Sequence, residues 1–246
     1  PGVRIGVEAP VFDPWEFSFL WAHENPCPGK DLAHLLLMAN SAMFKAEPTE
    51  AATRMVAILR EHAVTHVVTV PDNTSAPLLS ALEVMAAAAP EGGEAEDREP
   101  ADDSPVPHLL LATREGEAMG LASGLWLGGA EPVVLIQNTG LLEAGDGLRG
   151  TASRMGVPLV LLVTARGFAK ARKAGVSVDD GISSRDILVR EDLDSVAHMT
   201  EGTLRAWGIP FLVLRDSGDL SPVKEAFALA RAEKRPVAVL MDTSFD

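Results

Sequence analysis

Pro107-His108-Leu109-Leu110-Leu111-Ala112-Thr113-Arg114-Glu115-Gly116-Glu117-Ala118-Met119-Gly120-Leu121-Ala122-Ser123-Gly124, continuing through Val133-Val134-Leu135-Ile136 to Gln137-Asn138-Thr139-Gly140, is the stretch that decides the fold. It reads as strand over 108–112, helix over 114–128, strand over 133–136, then loop. Within the helix, glycine recurs at Gly116, Gly120, Gly124 and Gly128. An interior glycine costs a helix up to about 1 kcal/mol relative to alanine. Four on one slowly drifting face therefore imply close approach of another backbone or of a flat ligand. Thr113 is the expected N-cap, which puts Glu115 in the first helical turn, at the carboxyl end of a strand. Open α/β sheets bind ligands at that end.

Working outward, the alternation continues on both sides. Upstream, Ala51 to His62 has helical periodicity, Thr65 to Val70 is a β-branched strand ending at Pro71, and Asp72-Asn73-Thr74-Ser75 precedes a helix from Pro77 to about Ala88. Downstream, Leu141 to Met155 is expected to be helical with a glycine-broken start. Pro158 to Thr164 is a continuous apolar run, the pattern of a strand buried on both faces. Residues 165–195 read as mostly loop, Thr200 as the cap of a helix through Trp207, and Phe211 to Leu214 as a strand. Ser221-Pro222 opens a helix through Ala232, and Val237 to Met241 is the last strand. Six strands separated by helices predict an α/β fold with a single doubly wound, mostly parallel sheet.

Two segments fall outside this rhythm. Residues 1–47 form an irregular N-terminal extension in which Trp15, Phe17, Phe19 and Trp21 lie among prolines, with a helix expected over 31–44. So much aromatic surface is expected to cover the domain or a partner subunit. The second segment is an acidic insertion at 90–107, within a domain spanning 48–246. Seven acids between Glu91 and Asp103 face the single base Arg98, and so carry six of the fourteen net negative charges. This composition suits a solvated surface loop.

The net charge of -14 argues against nucleic acid or an anionic membrane as partner. The 246 residues contain no apolar run long enough to span a bilayer and no basic-then-apolar leader, so a cytoplasmic location is expected, although the first residue is not Met. Cys27 is the single cysteine, which excludes an internal disulfide and any multi-cysteine metal site. No strand runs into a Gly-x-Gly-x-x-Gly turn, and neither a Walker loop nor a Gly-x-Ser-x-Gly elbow occurs.

Three motifs occur in order on the expected elements: Val70-Pro71-Asp72-Asn73, Arg114-Glu115-Gly116-Glu117-Ala118-Met119-Gly120-Leu121-Ala122-Ser123-Gly124, and Gln137-Asn138-Thr139-Gly140-Leu141. Together they resemble the pyrimidine-binding domain of thiamine diphosphate enzymes, in particular the sulfopyruvate decarboxylase α subunit and the matching half of phosphonopyruvate decarboxylase. The resemblance runs from about Thr49 to Met241 and includes Leu204-Arg205-Ala206-Trp207-Gly208-Ile209-Pro210-Phe211 and Arg235-Pro236-Val237. It leaves out the N-terminal segment and the acidic loop.

The resemblance implies a role for Glu115, nine residues before Gly124. In this family such a glutamate hydrogen-bonds a pyrimidine ring nitrogen of the cofactor and favours the imino tautomer, whose exocyclic nitrogen deprotonates the thiazolium carbon. The cofactor supplies the carbanion chemistry and the protein supplies orientation. The helix dipole alone would also favour acids here, and explains Glu115 and Glu117 equally. Asp72 is the second candidate catalytic residue, for proton transfer or for polarity beside the cofactor, although aspartate after proline is equally an ordinary turn or cap residue. Gln137, Asn138, Thr139 and Gly140 are expected to line the cofactor cleft, and Asp72, Asn73 and Arg114 to face substrate. A substrate with two acidic groups needs local cations, and Arg166, Lys170, Arg172 and Lys173 follow a strand end, where a solvated loop is the alternative.

The family holds the diphosphate through a divalent metal at a Gly-Asp-Gly motif directly after a strand, with an asparagine further on. Gly145-Asp146-Gly147 matches only superficially: it lies well past its strand, and no asparagine follows Asn138. The resemblance therefore implies half an active site, with no metal ligand in this chain and with magnesium and the diphosphate held by a separate subunit. Self-association and a small anionic 2-oxo acid substrate are also expected. A carboligase of the same superfamily, or a noncatalytic scaffold or regulator, are the alternatives.

Overall fold

The computed structural model describes residues 47–88, 105–178, 189–243 and 245. Cys27, the aromatic N-terminal segment, the helix expected over 31–44 and the acids of the loop lie outside them. All described residues belong to one compact unit, Phe44–Asp246.

The alternation read from the sequence folds into six strands: β1 His66–Thr69, β2 His108–Leu111, β3 Pro132–Gln137, β4 Val160–Thr164, β5 Phe211–Leu214 and β6 Val237–Met241. Their order in the sheet is β2-β1-β3-β4-β6-β5, and each of the five pairings is parallel. The helices are α1 Glu50–Glu61, α2 Ala76–Ala88, α3 Glu115–Leu127, α4 Asn138–Glu143, α5 Phe168–Lys173, α6 Ser195–Ala206 and α7 Ser221–Glu233. Between α4 and β4 lie a helical turn, Gly145–Gly147, and a π-helical turn, Leu148–Ser153.

Period-two alternation divides each central strand between two cores. Val67, Val133, Leu135, Leu162 and Val239 point to the layer of α1, α2 and α7, where they meet Met55, Leu79 and Phe227. Val68, Val134, Ile136, Leu161 and Leu240 point to the layer of α3 to α6, where they meet Met119, Leu141 and Phe168. β4 and β6 are buried along their whole length, as their uninterrupted apolar sequence requires, whereas the edge strand β2 is half-exposed. Burial of one such aliphatic side chain contributes about 1.5–3 kcal/mol.

The chain runs from β1 to β2 on one side, then crosses through α3 to β3 on the other side of β1. This reversal makes the carboxyl ends of β1 and β3 the topological switch point, where an open sheet leaves a crevice because the connecting helices depart to opposite faces.

Four local expectations are corrected. The cap of α3 is Arg114, not Thr113. Thr113 instead gives its backbone N–H (2.8 Å) and its hydroxyl (2.7 Å) to Glu117 Oε2, so the acid of the first turn reaches back over the entering chain. Thr200 does not cap α6: Asp194 does, and Thr200 is buried inside the helix, its hydroxyl donating to the Val196 carbonyl at 2.7 Å. Residues 168–173, expected as loop, form α5. Asn138, Thr139 and Gly140 are the first turn of α4 rather than loop, because the helix starts directly at the strand end.

Candidate active site at the switch point

The crevice at the ends of β1 and β3 has a volume of about 360 Å³. Val70, Pro71 and Asp72 come from the loop after β1, Gln137, Thr139 and Gly140 from the end of β3 and the start of α4, and Glu115 and Glu143 from two further helix ends. The structure thus brings together five of the residues singled out by sequence: Asp72, Glu115, Gln137, Thr139 and Gly140.

Glu115 is the first residue of α3 and is half-buried. Its side chain lies against Gly140, where a Cβ would stand 2.1 Å from Oε1 and 2.4 Å from Cγ. Only glycine permits this approach. The Glu115 carboxylate takes no hydrogen bond from any described residue.

Glu143 was not singled out by sequence. It closes α4 and spends its carboxylate on the start of α3: Oε2 accepts from the Gly116 N–H at 2.7 Å, and Oε1 accepts from Arg114, whose Nε stands 3.0 Å away. The Arg114 guanidinium, and then the Gly116 amide, hold the Glu143 carboxyl below its ordinary range. Arg114 itself is 74% exposed and committed to this pair. A sequence signal existed, since Gly140 and Glu143 are i and i+3, but it becomes readable only when the helix is known to start at Asn138.

Asp72 is held by its own turn. Oδ1 accepts from the N–H groups of Thr74 (2.7 Å) and Ser75 (3.2 Å), while Oδ2 accepts from the Thr164 hydroxyl at the end of β4 (3.3 Å). The carboxylate satisfies amides at the entry to α2, an Asx-type arrangement, while its edge faces the crevice. Asn73 is exposed at the tip of that turn and does not line the crevice.

Asn138 is fully buried and is not brought into the crevice. Its Nδ2 donates to the Arg166 carbonyl (2.9 Å) and to the Thr200 hydroxyl (3.2 Å), tying α4 to the end of β4 and to α6. Its Oδ1 has no partner among the described residues.

Gly145-Asp146-Gly147 is a packing element. A Cβ at Gly145 would stand 2.7 Å from the Trp207 indole, and one at Gly147 2.8 Å from the Gly116 carbonyl oxygen. Asp146 faces solvent and pairs with Arg149 at 2.5 Å. Among the described residues, no three His, Cys, Asp or Glu side chains cluster so as to hold a metal ion. A larger depression of about 500 Å³ lies over the other layer, between α1 and the start of α7. There Lys224 is paired with Glu61 and Arg54 with the Gly218 carbonyl, so its cations already have partners.

The six-stranded all-parallel sheet flanked by helices makes this an α/β protein whose architecture is consistent with a thiamine diphosphate pyrimidine domain. No family model matches the chain. It is 24% identical over 144 residues to the sulfopyruvate decarboxylase subunit alpha of Methanococcus maripaludis, across 58% of this chain and 76% of that protein. It is 36% identical over 63 residues to the phosphonopyruvate decarboxylase of Streptomyces viridochromogenes, across 26% of this chain and 16% of that protein. The chain therefore resembles decarboxylases of this type. No helix among the described residues is long and apolar enough to cross a membrane.

Proposed function

We propose that this chain is the pyrimidine-binding subunit of a heteromeric thiamine diphosphate-dependent decarboxylase acting on a 2-oxo acid such as sulfopyruvate or phosphonopyruvate. The observation that carries this reading is the Glu115 carboxylate, without a hydrogen bond from the described residues and seated over Gly140 in the switch-point crevice. With Arg114 nearby but no hydrogen bond to its oxygens, the carboxylate is open to a ligand that donates one. An aminopyrimidine ring offers the complementary nitrogen, and the flat surface at Gly140 suits a ring.

Bound thiamine diphosphate would supply the carbon nucleophile that adds to the keto carbon and takes up the electrons released with carbon dioxide. The residues of this chain would position and protonate. Glu115 would hold a proton at the ring nitrogen, while Gln137 and Thr139 offer hydrogen bonds along the same wall. Asp72, fixed by Thr74 and Ser75, would place a carboxylate on the substrate side.

The split site is supported by the packing of Gly145-Asp146-Gly147 against Trp207 and α3, and by the outward face of α3. On that face a Cβ at Gly120 or Gly124 would meet nothing within 4 Å outside its own helix, and Leu121 and Leu127 are 41% and 67% exposed. A second subunit carrying the diphosphate and magnesium would approach closely there.

The test is calorimetric titration of thiamine diphosphate with magnesium into the purified chain, alone and mixed with the partner subunit. Tight binding only in the mixture is expected, and binding by the chain alone would overturn the split site. In the complex, Glu115→Gln is expected to fold normally and lose about 10²-fold or more in turnover. Full turnover in that variant would overturn the role of Glu115.

A further inference from the structure

Among the described residues, the crevice is lined by three carboxylates, Asp72, Glu115 and Glu143, and by no cation. A 2-oxo acid with a second acidic group would carry at least two negative charges into it. Such a substrate requires a cation at the rim, held in place beforehand and with donors still open to the substrate.

The cations near the carboxyl edge of the sheet differ in what they can offer. Arg114 is engaged through two nitrogens by Glu143. Arg172 is engaged by Asp242, whose side chain is only 6% exposed. Arg166 is different. Its carbonyl accepts from the buried Asn138 amide, and the next residue, Gly167, has a left-handed φ of 86° and packs so tightly that a Cβ would stand 2.7 Å from Asp194 Cβ. Both ends of its peptide are thereby fixed to α4 and α6. Its Nε donates to Asp194 Oδ2 at 2.7 Å, which orients the guanidinium while using only one edge of it. Nη1 reaches Gln137 Oε1, on the crevice wall, at a long 3.5 Å, and the side chain remains 58% exposed. Nη2 and the second N–H of Nη1 are left at the rim, in the planar fork that matches a phosphonate, sulfonate or carboxylate.

We infer that Arg166 is the specificity residue of this site: held by Asp194 beside Gln137, it binds the terminal acidic group of a 2-oxo acid substrate. Asp194 acts as a positioning residue through it. The inference rests on the function proposed above, and it selects one residue from the basic segment Arg166, Lys170, Arg172 and Lys173.

The experiment compares phosphonopyruvate with pyruvate, which lacks the second acidic group, in the complex of the full chain with its partner. Arg166→Gln is expected to lower kcat/KM about 10²-fold for phosphonopyruvate, mostly through KM, and to change it less than about threefold for pyruvate. Arg166→Lys should recover part of the loss, and Lys170→Gln, which removes a similar charge from α5, should leave the ratio of the two substrates unchanged. An equal effect of Arg166→Gln on both substrates, or an equal change of the ratio by Lys170→Gln, would overturn the inference while leaving the decarboxylase reading intact. If the complex turns over neither of these substrates nor sulfopyruvate, the decarboxylase reading fails, and Arg166 is judged by titrating phosphonoacetate into the full chain. Binding weakened at least tenfold by Arg166→Gln then supports an anion site at Arg166; binding that is absent or unaltered overturns it.

Discussion

The carboxylate of Glu115 lies across the Cα of Gly140, so close that a Cβ at that position would overlap it at 2.1 Å. The contact joins the first residue of α3 to the first turn of α4, and so couples the two helices that flank the switch point. Gly140→Ala separates catalysis from stability. Alanine is better tolerated than glycine in a helix, and the overlapping atoms, Oε1 to Cγ of Glu115, belong to a side chain that can rotate out of the crevice. The variant should keep or raise its Tm by calorimetry, yet lose turnover to the extent of Glu115→Gln. A fully active Gly140→Ala complex would show that the position of Glu115 does not matter.

Acid should loosen the start of α3. The Thr113 hydroxyl, followed by the Thr113 N–H, holds the Glu117 carboxyl below the ordinary value of 4.5, and Arg114 does the same for Glu143. A carboxyl lowered in the folded state contributes stability that is present above its unfolded value and is lost as pH falls through its folded value. Glu117→Gln should therefore be less stable than the parent chain in urea melts at pH 6 to 7, with the difference shrinking as pH falls below 4.5. A difference independent of pH would remove the charge from the explanation.

The Gly-Asp-Gly turn gives opposite expectations for its members. Gly147→Ala drives a methyl group into the Gly116 backbone carbonyl, which cannot step aside, and should cost about 1–3 kcal/mol in denaturant unfolding. Asp146→Asn affects only an exposed pair with Arg149 and should leave magnesium and thiamine diphosphate affinity unchanged. Loss of magnesium affinity in Asp146→Asn would reinstate this turn as a metal site.

The outward face of α3 provides a test of the heteromer. A side chain at Gly124 would meet nothing within 4 Å at its Cβ, so Gly124→Arg should leave the Tm of the isolated chain unchanged or raised. In size-exclusion chromatography with the partner subunit it should abolish co-elution. Co-elution at parental strength would place the partner elsewhere.

Asn138 tests the buried tie between α4, β4 and α6. Asn138→Ala leaves the Arg166 carbonyl and the Thr200 hydroxyl short of a donor, and should cost about 1–3 kcal/mol of stability, read from urea midpoints. An unchanged midpoint would mean that the bonds from Asn138 to the Arg166 carbonyl and the Thr200 hydroxyl add no net stability.

The sequence by itself determined the six strands, because apolar runs such as Val160 to Thr164 and Val237 to Met241 are too short and too uniformly buried to be anything else in an alternating chain. The resemblance to thiamine diphosphate enzymes singled out Glu115 by its spacing to Gly124, and Glu115 lies in the crevice. The sequence misleads where one residue type serves two purposes. Thr200 looks like a cap, but its hydroxyl bonds inside a buried helix. Asn138 looks like a site residue, but its amide ties together three elements.

Only the tertiary structure decided which polar groups share a crevice. Glu143 lies 28 residues beyond Glu115 in sequence, and Arg166 meets Gln137 only because β4 pairs with β3 in register, Thr164 beside Gln137. Strand pairing and the crossing at β1 set these distances. Neither is encoded in any window short enough to read locally, since each depends on where the chain returns after a complete helix.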